Sequence, residues 1–545
     1  MATRFELQLQ GEEAAVIDGD AGFIGVNTRL SPELLPPGVC AWAENVEFID
    51  GEATTRRGAV SPAWLRLGAE LFGVAQMRHP STRTEGVIAI TATGALWCEE
   101  GCDPVSVATP GTVAQRVRFT QEFDRIVAYR DGLEPWVWDG TTGFIVLDRT
   151  DANDGTRPCP LASHAEILND RVLIPADEDN LDIGDIGELG KFGITNRVRL
   201  DTGRADAITR VFPFTQAAAL VFKGRSTFLV SGISGALAGL SVSVVNADMG
   251  CVASEAVCST GGDVLFLSGT GVYRVRQVVQ ERIETAAVAV SYDIEPTLRR
   301  VVNWAFIAQA QAAVWGDRYF LAVPTEGATE NNAVFVFNLV TNQWEGMHTF
   351  PFPIDALFLA TWRGERRLFA ADFTAGNCYG LYEGEEDLTP AAADITGTLT
   401  TRGYLAGHAT RKRWNAAQLA TSEWHGQTAV SVNVDGNAET QPLYPVTLTR
   451  DRTACIVAGK RWTSTNANND HGDSGRADYA VILNPAMVLG TGIVLNRRQN
   501  FSNRFAMQET GRFCQLTFTS SRGTSKLKGA QVEGATVERA FLPTT

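Results

Sequence analysis

Short apolar runs broken by glycine turns recur along the chain. The clearest is DVLFLSGTGVYRVRQV, residues 263–278. Val264 to Leu267 is an unbroken apolar run, the pattern of a strand buried on both faces. Ser268-Gly269-Thr270-Gly271 then supplies a turn, with two glycines where positive φ is favoured. The return strand alternates, with Tyr273 and Val275 on one face and Arg274 and Arg276 on the other. The pattern predicts one β-hairpin.

Weaker forms of this unit lie at residues 86–100, 124–147, 169–188, 216–231, 317–347 and 365–383. Their spacing of roughly 40–50 residues is that of β-propeller blades. The predicted fold is all-β: a propeller of six to eight blades over 61–385, an N-terminal arm over 1–60, and a C-terminal β-rich, sandwich-like domain over 386–545. The acidic, proline-bearing stretch EGEEDLTPAAADITG (383–397) reads as the linker. Candidate strands beyond it are Gln427–Val434, Tyr479–Leu483, Arg512–Thr519 and Gly529–Glu538, with a polar loop at 464–476. Helical spacing of apolar residues is best over Pro296 to Ala313, with a strand pair as the alternative.

At 545 residues the chain exceeds one ordinary core, a limit that a propeller escapes by adding core with each blade. The formal charge, 47 − 62 = −15, argues against a surface built to grip nucleic acid or an anionic membrane. The nine cysteines are odd in number and scattered, which points to buried thiols in a reducing cytoplasm. The first twenty residues carry acids where a signal peptide needs an apolar run, and no stretch has the length of an integral membrane segment.

Chemistry-bearing motifs are sparse. Gly472-Asp473-Ser474-Gly475 matches a serine-protease nucleophile segment, but no alanine-histidine-cysteine segment precedes it. Asp177, Glu178, Asp179, Asp182 and Asp185 are acidic, yet Leu181 and Asp182 stand where an EF-hand needs an oxygen ligand and a glycine. Cys98 and Cys102 lack a second pair to complete a zinc set. Trp97, Trp136, Trp138, Trp304, Trp315, Trp344 and Trp362 fall in or beside the repeats. They read as filling between blades, with a sugar-binding row as the alternative. No catalytic, cofactor-binding or metal-binding residue is assigned, no cofactor is expected, and partner-binding residues stay unassigned. The expectation is a non-enzyme.

Several segments together resemble a known family. The N-terminal part runs from Gly25-Val26-Asn27-Thr28-Arg29-Leu30 to Thr54-Thr55-Arg56-Arg57-Gly58. Asn169–Ile174, Asn180–Asp185, Val221–Ser226, Asp248–Ala253, Asp263–Tyr273 and Tyr319–Pro324 follow, with Asn338, Trp344 and Gly511-Arg512-Phe513. The chain resembles the β-propeller tail nozzle or tail-hub proteins of short-tailed bacteriophages over most of residues 20–385. Residues 184–192 depart from the pattern, lacking its Ser and Trp.

The resemblance implies a structural virion protein of the tail, made in the host cytoplasm, that retains packaged DNA and then conducts it out. It implies a homohexamer beneath the portal and its adaptor ring, near tail fibres or spikes, with DNA passing without sequence-specific binding. Six copies would carry 6 × (−15) = −90 formal charges, which suits a lumen that does not hold phosphates. The alternatives are a propeller glycosidase and a sugar-binding host-recognition protein of the tail.

Overall fold

The computed structural model describes residues 16–149, 156–200, 203, 206–278, 282–285, 288–389, 391–407, 411–424, 427–435, 448–451, 454–457, 460–463, 501–521 and 525–536. These form two compact units, one of 58–342 with 349–392 and one of 1–57 with 343–348 and 393–545.

In the larger unit the sequence repeats become a succession of small antiparallel sheets. Sheet one is Leu71–Arg78, Glu85–Thr91, Ala95–Cys98 and Val105–Val107. Sheet two is Val117–Glu122, Arg125–Arg130, Leu133–Trp138 and Ile145–Val146. Sheet three is Glu166–Leu168, Arg171–Pro175, Asn180–Ile183 and Arg197–Arg199. Sheet four is Ile208–Thr215, Ala218–Lys223, Thr227–Ser231 and Ser241–Asn246. Sheet five is Val257–Ser259, Asp263–Ser268, Gly271–Val278 and Arg282–Thr285. Sheet six has Gln311–Trp315, Arg318–Val323 and Ala333–Asn338. Sheet seven has Ala356–Trp362, Glu365–Asp372 and Asn377–Leu381, and takes Ala59–Val60 as its next strand.

The second strand of each sheet is apolar on both faces because alternate residues serve different neighbours. Ile126 and Ala128 pack with Ile88, Trp97 and Trp136 between sheets one and two. Val127 and Tyr129 pack with Val172 and Ile174 between sheets two and three. Leu173 joins Val221 and Phe228, and Phe222 joins Val264 and Phe266. Between sheets five and six the Ala312 N–H donates to the Glu255 carbonyl at 2.9 Å. Val336 meets Leu368 and Tyr379, and Phe369 and Ala371 meet Val87 and Ala89. The last contact brings sheet seven onto sheet one, so the ring is closed: this unit is a β-propeller. The borrowed strand Ala59–Val60 ties the start of the unit to its end and leaves no free edge there.

The hairpin at 263–278 forms as predicted, and its register sets Ser268 opposite Gly271. Tyr273 and Val275 are buried and Arg276 is exposed. Over 296–313 the continuous helix is not found. The α-helix is Glu295–Val301, a 3-10 segment follows at Trp304–Gln309, and Gln311–Trp315 is a strand of sheet six. Strand pairing with Arg318–Val323 outweighs the weak helical spacing.

The smaller unit holds two sheets. One has Phe501–Gly511, Lys412–Trp424, Ser525–Thr536, Glu52–Thr55 and Val46–Ile49 in order, with Val16–Asp20 also paired to Ser525–Thr536. The other includes Trp42–Glu44, Gly397–Thr400, Cys514–Ser521 and Gln427–Val434. Trp414, Ala417 and Val532 share a core with Leu399, Val430 and Leu516, and with Phe23, Val26 and Phe48. The division thus differs from an arm over 1–60 and a separate domain over 386–545. Pairings such as Ile17 with Glu533 join the two ends of the sequence. Asp18 and Asp20 anchor the first strand by pairing with Arg402 at 2.6 and 2.9 Å, and the Tyr404 hydroxyl donates to Asp20. The candidate strand Tyr479–Leu483 and the loop 464–476 lie outside the described residues.

No helix among the described residues is long and apolar enough to cross a membrane.

Candidate functional site

The first strands of the sheets follow one another around the propeller axis, and they are only half apolar. Sheet two brings Arg116 and Arg118, sheet three His164 and Glu166, sheet four Arg210, sheet five Glu255, and sheet seven Asp355. All but Asp355 line a cavity of about 180 Å³.

These groups pair across the ring. Arg118 forms an ion pair with Glu255, and its Nη2 donates to Ser254 Oγ at 2.8 Å. Sheets two and five are not neighbours in the ring, so this contact spans the axis. Arg210 bridges the same Glu255 at 3.4 Å and Glu166 at 2.6 Å. Arg116 donates to the Asp355 carbonyl at 2.6 Å and lies over the Phe373 ring at 5.4 Å. Thr120 donates to the Ala165 carbonyl at 2.8 Å.

The electrostatics follow from this geometry. Burial alone would raise the Glu255 carboxyl, but attraction to Arg210, Arg118 and Arg116 overrides it and holds the group well below the usual carboxylate range. Glu166 goes the other way, raised by burial despite Arg210. Burial, reinforced by Arg210 and Arg118, keeps His164 well below 6.5 and therefore neutral. Its Nε2 accepts from the Val211 N–H at 3.3 Å, so the ring proton sits on Nδ1, 3.2 Å from Ser163 Oγ. A neutral imidazole locked at both nitrogens and carboxylates locked to arginines are poor acid–base catalysts. They are suited to fixing sheet positions.

The sequence motifs fall elsewhere. Gly472 to Gly475 lies outside the described residues. Three members of the acidic stretch have protein partners: Asp182 takes Arg197 at 2.6 Å, Asp179 takes Lys223, and Asp177 accepts from Asn180. Cys98 is buried, its thiol pushed up to about 12, while Cys102 is exposed. Trp97, Trp136, Trp138, Trp344 and Trp362 are buried, and Trp304 and Trp315 half-buried. Trp136 lies beneath the Arg130 guanidinium at 3.7 Å. Trp97, Trp136, Trp138 and Trp362 fill space within the cores and Trp315 packs against one, though Trp97 and Trp138 also border an open pocket.

Sequence reading did not single out Arg118, Arg210, Glu166 or Glu255. Their one signal is polar residues interrupting otherwise strand-like segments; the partners lie up to 137 residues apart.

No family model and no curated protein matches this chain. Solved structures similar to it include BBS1N in complex with ARL6DN (TM-score 0.38, 9% identity, 60% of this chain and 97% of that one). The Cps50 (Swd1) beta-propeller domain of Myceliophteria thermophila matches at TM-score 0.39 and 10% identity, over 57% of this chain and 97% of that one. PorZ of Porphyromonas gingivalis matches at TM-score 0.35 and 10% identity, over 64% of this chain and 42% of its own.

Proposed function

We propose that this chain is a structural wall subunit of a short-tailed phage tail, in the nozzle or hub ring that retains DNA and then conducts it. The carrying observation is the ion pair between Arg118 and Glu255. It ties opposite parts of the propeller across the axis and turns the ring into a stiff block. A block of this kind serves as masonry in a larger ring. The family resemblance over residues 20–385 supplies the identity of that ring.

The conduit on this reading is the space enclosed by several copies, not the axis of one propeller. The resemblance implies six copies, and they close into a ring because heterologous contacts that fail to close give filaments. The portal adaptor, and fibres or spikes, are the remaining partners in the virion tail, and assembly takes place in the host cytoplasm. The acidic total, −15 per copy, suits a lumen past which phosphates slide. No catalysis is assigned to the chain.

Deletion of the gene tests this role. Heads are expected to fill with DNA and then leak it, and supplying the chain in trans restores infectivity. Retained DNA and normal infection without the chain would remove the role. Release of reducing ends from bacterial polysaccharide by the purified chain would favour a glycosidase instead.

A further inference from the structure

An open pocket of about 290 Å³ lies between sheets one and two, on the rim of the propeller and away from the axial cluster. Two loops make it. Gly140 has φ +83°, and a Cβ there would meet Ser81 Oγ at 2.4 Å. The glycine lets the Asp139-Gly140 turn approach closely enough for Ser81 Oγ to donate to both carbonyls, at 3.2 and 3.0 Å.

The walls are aromatic. The His79 ring stands edge-on between Trp97 and Trp138, 5.0 Å from each. One N–H donor at these walls, on half-buried His79, has no partner among the described residues. His79 Nδ1 accepts the Ser81 and Thr82 backbone N–H groups, both at 3.2 Å, which places its ring proton on Nε2.

Two carboxylates belong to the same lining. Glu99 Oε1 accepts from Trp97 Nε1 at 2.7 Å and Thr84 Oγ1 at 2.6 Å, which fixes the group and leaves Oε2 open. Asp103 is exposed and has no ion pair among the described residues. No Lys or Arg lines the pocket.

We propose that this pocket binds one sugar residue, with hydroxyls donating to Glu99 and Asp103 and accepting from His79 Nε2–H, between indole walls. An ammonium would satisfy the carboxylates but leave the His79 Nε2–H unpaired. A phosphate would take that N–H but be repelled by both carboxylates. A hydroxyl does both jobs. The volume is at the small end of ligand pockets, enough for one ring and not for a chain. The inference stands independently of the tail-ring reading.

The test titrates the full chain with methyl glucoside, methyl galactoside and N-acetylglucosamine, read by tryptophan fluorescence and saturation-transfer NMR. Saturable binding of at least one is expected. Asp103→Asn, at an exposed position that does not threaten folding, should weaken it about tenfold or more. Trp138→Phe, which shrinks one aromatic wall, should weaken it about two- to tenfold. Affinity kept when the sugar ends a trisaccharide supports a glycan terminus as ligand, and affinity lost supports a free monosaccharide. No saturable response to any of the three sugars would overturn the proposal. So would binding of tetramethylammonium or inorganic phosphate in their place, or sugar binding indifferent to Asp103→Asn.

Discussion

The Tyr129 hydroxyl donates to Glu122 Oε1 at 2.9 Å, and both side chains are fully buried in sheet two. Glu122 Oε2 has no partner among the described residues. Burial raises this carboxyl from an ordinary 4.5 to about 8, although the Tyr129 bond opposes the rise. The folded protein therefore holds a proton here that the unfolded chain releases near 4.5. The stability this confers is complete below that pH and is lost as pH rises through about 8. Glu122→Gln keeps the shape without the ionisation. Its melting temperature should gain on the parent's between about pH 5 and 8 and then run parallel; curves parallel throughout would contradict the assignment.

His164 acts on the acid side. Its folded pKa lies well below 6.5, so the unfolded chain takes up the proton first and stability falls as pH drops below 6.5. His164→Gln should lose part of that slope. Urea midpoints at about pH 7.5 and 5.5 measure it, and an unchanged difference between them would show that His164 is not the group responsible.

The seven apolar repeats each fall on the middle strands of a sheet, and this explains what the sequence made legible. Val127, Val172, Val221, Leu265, Phe320 and Leu368 are buried because a sheet stands on each side. That condition writes itself as a local apolar run. The first strands do not read so clearly. Val117–Glu122 mixes core residues with axial ones, and Arg118 gains meaning only from Glu255, which arrives by closure of the ring. The same holds for Val16–Asp20, a polar stretch until Arg402 and residues 530–534 supply its partners. The pocket at Trp97 and Trp138 was half visible: the tryptophans stood out, whereas His79 and Asp103 join them only through the fold.

Glu255 carries the axial network, so its loss should be costly. Glu255→Gln leaves Arg118 and Arg210 short of a counter-charge. Removing one partner of a fully buried pair costs about 3–5 kcal/mol. Glu255 keeps a quarter of its side chain exposed, so a loss of roughly 2–3 kcal/mol is expected. A double-mutant cycle with Arg118→Met should show coupling above about 0.5 kcal/mol. Additive effects would mean that the pair does not act across the axis.

Gly271 has φ +146°, and a Cβ there would meet Ser291 Oγ at 2.4 Å. That hydroxyl oxygen accepts the Val272 N–H at 2.9 Å, so it has little room to move. Gly271→Val should cost about 1–3 kcal/mol by backbone strain alone. Adding Ser291→Ala should recover part of the loss in thermal unfolding. An unchanged melting temperature for Gly271→Val would mean that the turn tolerates a side chain.

A reconstruction of the phage particle, with this chain located in it, tests the central claim most directly. The account predicts six copies in one closed ring below the portal adaptor, each propeller blocked at its own axis by Arg118 and Glu255. The DNA path should be enclosed between copies, wide enough for a duplex about 20 Å across and lined by few basic side chains. Copies in a dimer or trimer at the tail periphery, or a lumen lined by continuous Arg and Lys, would contradict it.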